Sequence, residues 1–179
     1  MTQIKKVVII GPESTGKSYL CEKLAHHYHS SWVPEYAREY LYAVGGKYSY
    51  DDLLIIAKNQ LDLENKYTED AIQKGHSTIF IDTDMFVMKV WCEYVYGKCH
   101  PWINRQAQSQ QYNLYLLCKP DIPWVKDTLR EYPDLETREK LFTIYQETLL
   151  KQTVPWHIIS GNYDERFAKA LNAVEAILK

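Results

Sequence analysis

The sequence predicts an α/β fold built on a doubly wound, mostly parallel sheet of about five strands, and three observations predict it. Short β-branched runs alternate with longer segments of helical periodicity. A glycine-bearing loop joins the first run to the first helical segment, and acidic residues follow directly on two of the runs, at the carboxyl ends of the expected strands. Strands alternating with helices imply βαβ units with right-handed crossovers, and hence a sheet covered on both faces. The 179 residues fit one domain, 1–179, long enough to close a hydrophobic core without disulfide or metal staples.

Ile4 to Ile10, with Val7, Val8, Ile9 and Ile10 in succession, predicts a central strand buried on both faces. Lys17 to Tyr28 places Leu20, Leu24 and Tyr28 at four-residue steps and predicts a helix. Ser31 to Glu35 predicts a short strand that Pro34 confines to an edge or an end, and a helix follows from Tyr36 to the Gly45-Gly46 turn. Ser49 is expected to cap the longest helix, which reaches Lys74 and is ended by Gly75. Ser77 to Ile81 predicts a second buried strand running into Asp82-Thr83-Asp84, then a helix through Val87, Val90, Trp91 and Tyr94 that stops near Gly97. Tyr112–Cys118 and Trp156–Ser160 supply the remaining strands, and helices from about Leu135 to Leu150 and from Asp164 to Leu178 separate and close the series. In open sheets of this kind ligands bind outside the carboxyl ends of the strands.

Composition narrows the function classes. Lys and Arg number 21 against 23 Asp and Glu, a balance that gives no electrostatic reason to expect nucleic-acid or anionic-membrane partners. The apolar runs are far shorter than the ~18 residues of a membrane span. The start Met1-Thr2-Gln3-Ile4-Lys5-Lys6 carries no small-residue cleavage site, so no signal peptide and a cytoplasmic location are expected. Cys21, Cys92, Cys99 and Cys118 form no CxxC pair, which argues against a zinc cage. Fifteen Tyr and five Trp are enough to line a pocket for a flat ligand, although core filling and amphipathic surface account for most of them.

Gly11-Pro12-Glu13-Ser14-Thr15-Gly16-Lys17-Ser18 satisfies GxxxxGK[ST] and lies between a strand and a helix, the context that motif requires. Gly11, Glu13, Ser14, Thr15, Gly16, Lys17 and Ser18 are therefore expected to hold the phosphates of ATP, mainly through backbone N–H groups and the helix dipole. Lys17 should reach the β/γ-phosphate oxygens and Ser18 should ligate Mg²⁺, with Asp82 as the expected second metal ligand. Asp84 reads equally as an orienting group for an acceptor hydroxyl and as a helix N-cap. Glu35 reads equally as a general base and, with Arg38 and Glu39, as a first-turn helix charge. Residues 120–138 predict a lid in which Arg130 and Arg138 supply positive charge and Trp124 offers a flat face, or in which Trp124 packs the loop and Arg130 caps a helix end. Gly161, after the last strand, permits close approach of an adenine base. His26, His27 and His29 carry no ligand geometry. The reading from residues is an ATP·Mg-dependent phosphotransferase acting on a small soluble metabolite.

Four segments then resemble one family: GPESTGKS at Gly11 to Ser18, VPEYAREY at Val33 to Tyr40, DTD at Asp82 to Asp84 followed by Lys89-Val90-Trp91, and DIPWVKDTLR at Asp121 to Arg130. They are similar to the nicotinamide riboside kinase domain of NadR-type proteins of NAD biosynthesis and salvage, over essentially the whole chain. The resemblance implies a P-loop kinase fold with a lid and transfer of the ATP γ-phosphate to the 5′-hydroxyl of nicotinamide riboside, giving nicotinamide mononucleotide. It implies that Glu35, Arg38, Asp82, Asp84, Trp124 and Arg130 line the site, and that this is the kinase module without the adenylyltransferase or DNA-binding parts of larger members. From the residues themselves, an ATP-hydrolysing switch for a protein partner and a kinase for another nucleoside or nucleotide stay open.

Overall fold

Val7, Val8, Ile9 and Ile10 are all fully buried, and they alternate between two hydrophobic cores because successive side chains of a strand point to opposite faces. The computed structural model describes residues 4–179, so the expectation of a leader-free start at residues 1–3 lies outside them. This first strand, β1 (Lys5–Ile10), is central in a five-stranded sheet of order β2-β3-β1-β4-β5 in which every pairing is parallel. The others are β2 (Ser31–Val33), β3 (Thr78–Asp82), β4 (Leu114–Cys118) and β5 (Trp156–Ile159). β2 is an edge strand that ends before Pro34, where a missing N–H costs no ladder bond.

Helices α1 (Lys17–His27) and α7 (Tyr163–Leu178) cover one face, packing Leu20, Leu24 and Ala170 on Val7, Ile9 and Leu116. The opposite face meets α3 (Tyr50–Gln73), α4 (Met85–Tyr96) and α6 (Leu135–Leu150), through residues such as Ala71, Val90 and Leu141. A third cluster ties α2 (Tyr36–Ala43), α3 and α4 to α5 (Pro101–Ser109). Ser49 caps α3 as expected, in a reciprocal capping box with Asp52. The segment between Gly97 and Tyr112 showed no element in the sequence, yet it forms α5. Pro101 starts that helix and only Ile103 and Ala107, one turn apart, are buried, too sparse an apolar stripe to read against Asn104-Arg105-Gln106 and Gln108.

The crossover from β1 leads toward β2 and that from β4 leads to β5, so the connections diverge at the carboxyl ends of this central pair. Residues 119–134, between β4 and α6, contain no helix or strand where the sequence predicts a lid over 120–138, and the last residues of that span instead begin α6. Among the described residues no helix is long and apolar enough to cross a membrane.

Candidate active site

The loop after β1 turns on left-handed backbone at Ser14 (φ 55°) and Gly16 (φ 77°). Gly11 (φ 144°) runs against the end of β4, where a Cβ would meet the Cys118 carbonyl oxygen at 2.6 Å, so no other residue fits. α1 then starts with no side-chain cap and no acidic residue in its first turn, which leaves its positive dipole end for an anion. Lys17 Nζ and Thr15 Oγ1 both donate to the Pro12 carbonyl, each at 2.8 Å, which bends the lysine back across the loop. Ser18 Oγ donates to Asp82 Oδ2 at 2.5 Å, bringing the two expected metal ligands together. Burial pushes the Asp82 carboxyl above the usual carboxylate range, against the lowering pull of Lys17 and of the Ser18 bond.

Thr83 separates the two aspartates with φ 78°, a strained conformation for a β-branched residue, and its N–H reaches the Ile9 carbonyl at 3.3 Å. That turn sends the neighbours to different duties. Asp84 is fully buried; Oδ1 accepts from the N–H groups of Phe86 (3.0 Å) and Val87 (3.2 Å), and Oδ2 from the Tyr115 hydroxyl (2.9 Å). Burial pushes this carboxyl up to about 7. Both oxygens are engaged inside the protein, so of its two expected readings the structure displays the N-cap; neither Asp84 nor Asp82 lines the cleft.

Glu35 behaves in the opposite way. It occupies the N-cap position of α2 and makes no side-chain cap, facing instead a cleft of about 330 Å³ beside the phosphate-binding loop. Its pKa is raised, first by burial and then by Asp82, while Lys17 and Arg38 pull it down. The residue keeps some solvent-accessible surface although its carboxyl is enclosed by protein. Arg38 lines the same cleft and pairs with Asp127 of the lid at 2.9 Å. The cleft wall continues through Leu41, Val87, Val90, Trp91 and Tyr94, and closes under Leu129, Arg130 and Tyr132 of the lid and Leu141 and Tyr145 of α6. One end, beside the GxxxxGK[ST] loop, is thus polar, the other apolar and aromatic.

Two further candidate residues lie outside the cleft wall. Trp124 does not line the cleft; its indole Nε1 is buried without a hydrogen-bond partner among the described residues, and the tryptophan at the cleft wall is Trp91, whose Nε1 donates to the Tyr48 hydroxyl at 2.9 Å. Gly161 has both backbone groups taken, its N–H by Asp121 (2.8 Å) and its carbonyl by Arg166 Nε (2.7 Å), and a Cβ there would meet Glu165 at 2.3 Å. Its glycine is required by that turn. Arg130 does line the cleft, with Nη1 on the Val125 carbonyl inside the lid. Arg138 is buried on the α6 face that carries Leu141 and Tyr145, but it is not part of the cleft wall.

A family model described as an AAA domain (AAA_28) matches residues 6–166. The chain belongs to this family. It is 28% identical to the trifunctional NAD biosynthesis/regulator protein NadR of Salmonella typhimurium over 182 residues and 27% identical to that of Escherichia coli K12 over 180, covering 98% of this chain in each case. The chain spans 43% of the length of these curated relatives. Among solved structures it is similar to a NadR protein in complex with NR (TM-score 0.83, 21% identity, 98% of this chain and 51% of that one). It is also similar to a NadR protein in complex with NAD and AMP-PNP (TM-score 0.77, 23% identity, 98% and 50%) and to thymidylate kinase from Ehrlichia chaffeensis (TM-score 0.64, 14% identity, 96% and 97%). The resemblance to NadR-type proteins and the P-loop kinase fold, both expected from the sequence, are borne out.

Each of the four segments that carry the resemblance contributes to the cleft or its supports, and one supporting residue lies outside them. Arg166 is 2% exposed and holds three segments at once: Nη1 donates to the Thr15 carbonyl (3.0 Å), Nη2 to the Lys119 carbonyl (2.8 Å) and to Asp121, and Nε to Gly161. It pins the root of the lid to the phosphate loop and to the turn before α7. Nothing local marks it, because an arginine four residues beyond the N-cap Asn162 reads as an ordinary helix charge. The lid's outer part is held by the phosphate loop itself. Glu13 accepts from the N–H groups of Glu131 (3.0 Å) and Tyr132 (2.6 Å), and Ser14 Oγ accepts from Val125 N–H (2.9 Å). Two backbone N–H groups converge on the Glu13 carboxylate, whereas an exposed ion pair such as Arg38–Asp127 contributes about 0.2–1 kcal/mol.

Proposed function

We propose that this chain is an ATP·Mg-dependent kinase that phosphorylates the 5′-hydroxyl of nicotinamide riboside, giving nicotinamide mononucleotide, as a cytoplasmic step of NAD salvage. The observation that supports it best is a carboxylate, Glu35, released from helix capping and placed between a phosphate-binding loop and an aromatic chamber in one cleft. An alcohol acceptor needs a base within hydrogen-bond reach of its hydroxyl; Glu13 and Glu131 also line the cleft but are held by the lid N–H groups and the Tyr48 hydroxyl, which leaves Glu35. The aromatic chamber suits a flat, positively charged ring through stacking and cation–π attraction. The similarity to NadR proteins, one of them in complex with NR and another with AMP-PNP, supports the same acceptor and donor.

The residues present fit Mg²⁺. Ser18 Oγ and Asp82 Oδ2 are hard oxygen donors already in contact, and among the described residues no cluster of three or more His, Cys, Asp or Glu forms a dedicated cage. That is the donor set of an ion that keeps waters and binds mainly through phosphates. Held by Ser18 and Asp82, Mg²⁺ would supply positive charge against the phosphate oxygens. Lys17 swings from the Pro12 carbonyl to the same oxygens, Arg130 adds positive charge from the lid, and the lid excludes water that would otherwise take the phosphate.

ADP release from ATP·Mg, with and without nicotinamide riboside, tests the reading, with uridine, cytidine and nicotinamide mononucleotide as controls. Stimulation by the riboside alone supports it; slow hydrolysis unaffected by any acceptor would favour an ATPase switch instead. Glu35→Gln is expected to lower kcat about 10²–10⁴-fold while leaving AMP-PNP affinity unchanged. Because the base must be ionised and its pKa is raised by burial, the acid limb of the wild-type pH profile should lie above the ordinary glutamate range and vanish in the variant. Asp84→Asn keeps an oxygen for the helix cap and an amide for Tyr115, and turnover is expected to stay within about threefold of wild type, since an interaction outside the transition state costs little rate. A hundredfold loss would return Asp84 to candidacy as the base. Trp91→Ala should raise the riboside KM about tenfold through lost stacking and packing, whereas Trp124→Ala should leave it unchanged.

A further inference from the structure

We infer that Glu13 is a positioning residue that latches the lid to the phosphate loop, so that the nucleotide-binding loop and the wall of the acceptor chamber close as one unit. The inference rests on the kinase reading for its consequence, though not for its geometry. Glu13 occupies one of the variable positions of the GxxxxGK[ST] motif, where phosphate is held by backbone and the side chain is free for another task. Its two carboxylate oxygens each accept from one of two consecutive lid N–H groups, those of Glu131 and Tyr132, more than a hundred residues along the chain. A bidentate carboxylate on adjacent backbone donors fixes both the position and the direction of that strand of lid. Ser14, held in left-handed backbone, adds the bond to Val125 N–H on the near side of the lid.

The two latched residues are also chamber residues. Tyr132 lines the cleft and packs edge-on against Tyr94, ring centroids 5.8 Å apart. Glu131 passes the connection on, since its carboxylate accepts from the Tyr48 hydroxyl at 3.0 Å and that hydroxyl accepts from Trp91 Nε1. A continuous series of contacts therefore runs from the phosphate loop through Glu13, Glu131 and Tyr48 to Trp91. With the lid's root held by Arg166, Glu13 governs the part that can open. Releasing it should admit water to the transferring phosphate and loosen the acceptor wall, without altering the backbone cradle that binds ATP.

Glu13→Ala removes both acceptors and Glu13→Gln keeps one oxygen, so the two should fall in order. Hydrogen exchange of the protein without ligands should accelerate about tenfold over residues 125–132 in Glu13→Ala, with Glu13→Gln intermediate. In turnover, acceptor-independent ATP hydrolysis relative to transfer to nicotinamide riboside should rise about tenfold, with a higher riboside KM and an AMP-PNP Kd changed by less than about threefold. Unchanged exchange over 125–132 would overturn the latch, as would transfer and AMP-PNP affinity falling together at a constant hydrolysis-to-transfer ratio, which would make Glu13 a part of the cradle. Should Glu13→Ala fail to fold, Glu13→Gln and Ser14→Ala carry the same comparison. Faster exchange in a protein that transfers nothing to the riboside would leave the latch standing and refute only the proposed acceptor.

Discussion

Lys17→Ala is expected to lower phosphoryl transfer about 10³-fold, the scale seen when a positive group facing transition-state charge is removed. AMP-PNP affinity should fall far less, because the cradle is made of backbone N–H groups from a loop whose shape is set elsewhere. Gly11 is pressed on Cys118, Gly16 is left-handed, and Arg166 holds the Thr15 carbonyl, none of which involves the lysine. Nor should the fold suffer. Lys17 Nζ gives its bond to the Pro12 carbonyl, and that oxygen keeps the Thr15 hydroxyl at 2.8 Å when the ammonium is gone. The contrast between a collapsed kcat and a nearly intact thermal midpoint is the result to seek in parallel kinetics and melting. A comparable loss in both would mean that the lysine builds the loop and does not act on phosphate.

The sheet was legible because its strands are buried on both faces and therefore unbroken in apolar character: β1, β3 and β4 announce themselves without reference to anything distant. The phosphate loop was legible for a different reason, since its backbone geometry admits few residue types and writes them in a fixed order. What was not legible is whatever depends on side-chain direction across the fold. Asp82 and Asp84 look alike in sequence, and only the left-handed turn at Thr83 sends one to Ser18 and the other to the start of α4. Trp124 lay in the conspicuous lid motif while Trp91 lay in an ordinary apolar helix, yet the cleft takes Trp91. Arg166 and Glu13 act on partners far along the chain, so no window of sequence contains their function.

Asp82→Asn is expected to cut Mg-dependent turnover about 10²–10³-fold and to raise the Mg²⁺ concentration needed for half-maximal rate, while the thermal midpoint holds or rises. The two expectations follow from one fact. Asp82 is fully buried, with Ser18 and, at 3.5 Å, Thr83 as its side-chain partners, and burial raises its pKa, so the folded chain disfavours its negative charge. An amide of the same shape can still accept from Ser18 Oγ, and it carries no charge to desolvate, so the fold loses nothing by the exchange. Metal binding loses the charge that justified burying a carboxylate there. Ser18→Ala should lower Mg²⁺ affinity in the same direction and by a smaller factor, because a hydroxyl contributes a dipole where the carboxylate contributes a full charge. If Asp82→Asn destabilised the protein and left the Mg²⁺ dependence unchanged, the carboxylate would be a structural anchor for α1 and the metal would have to be sought at Glu35, which lines the cleft.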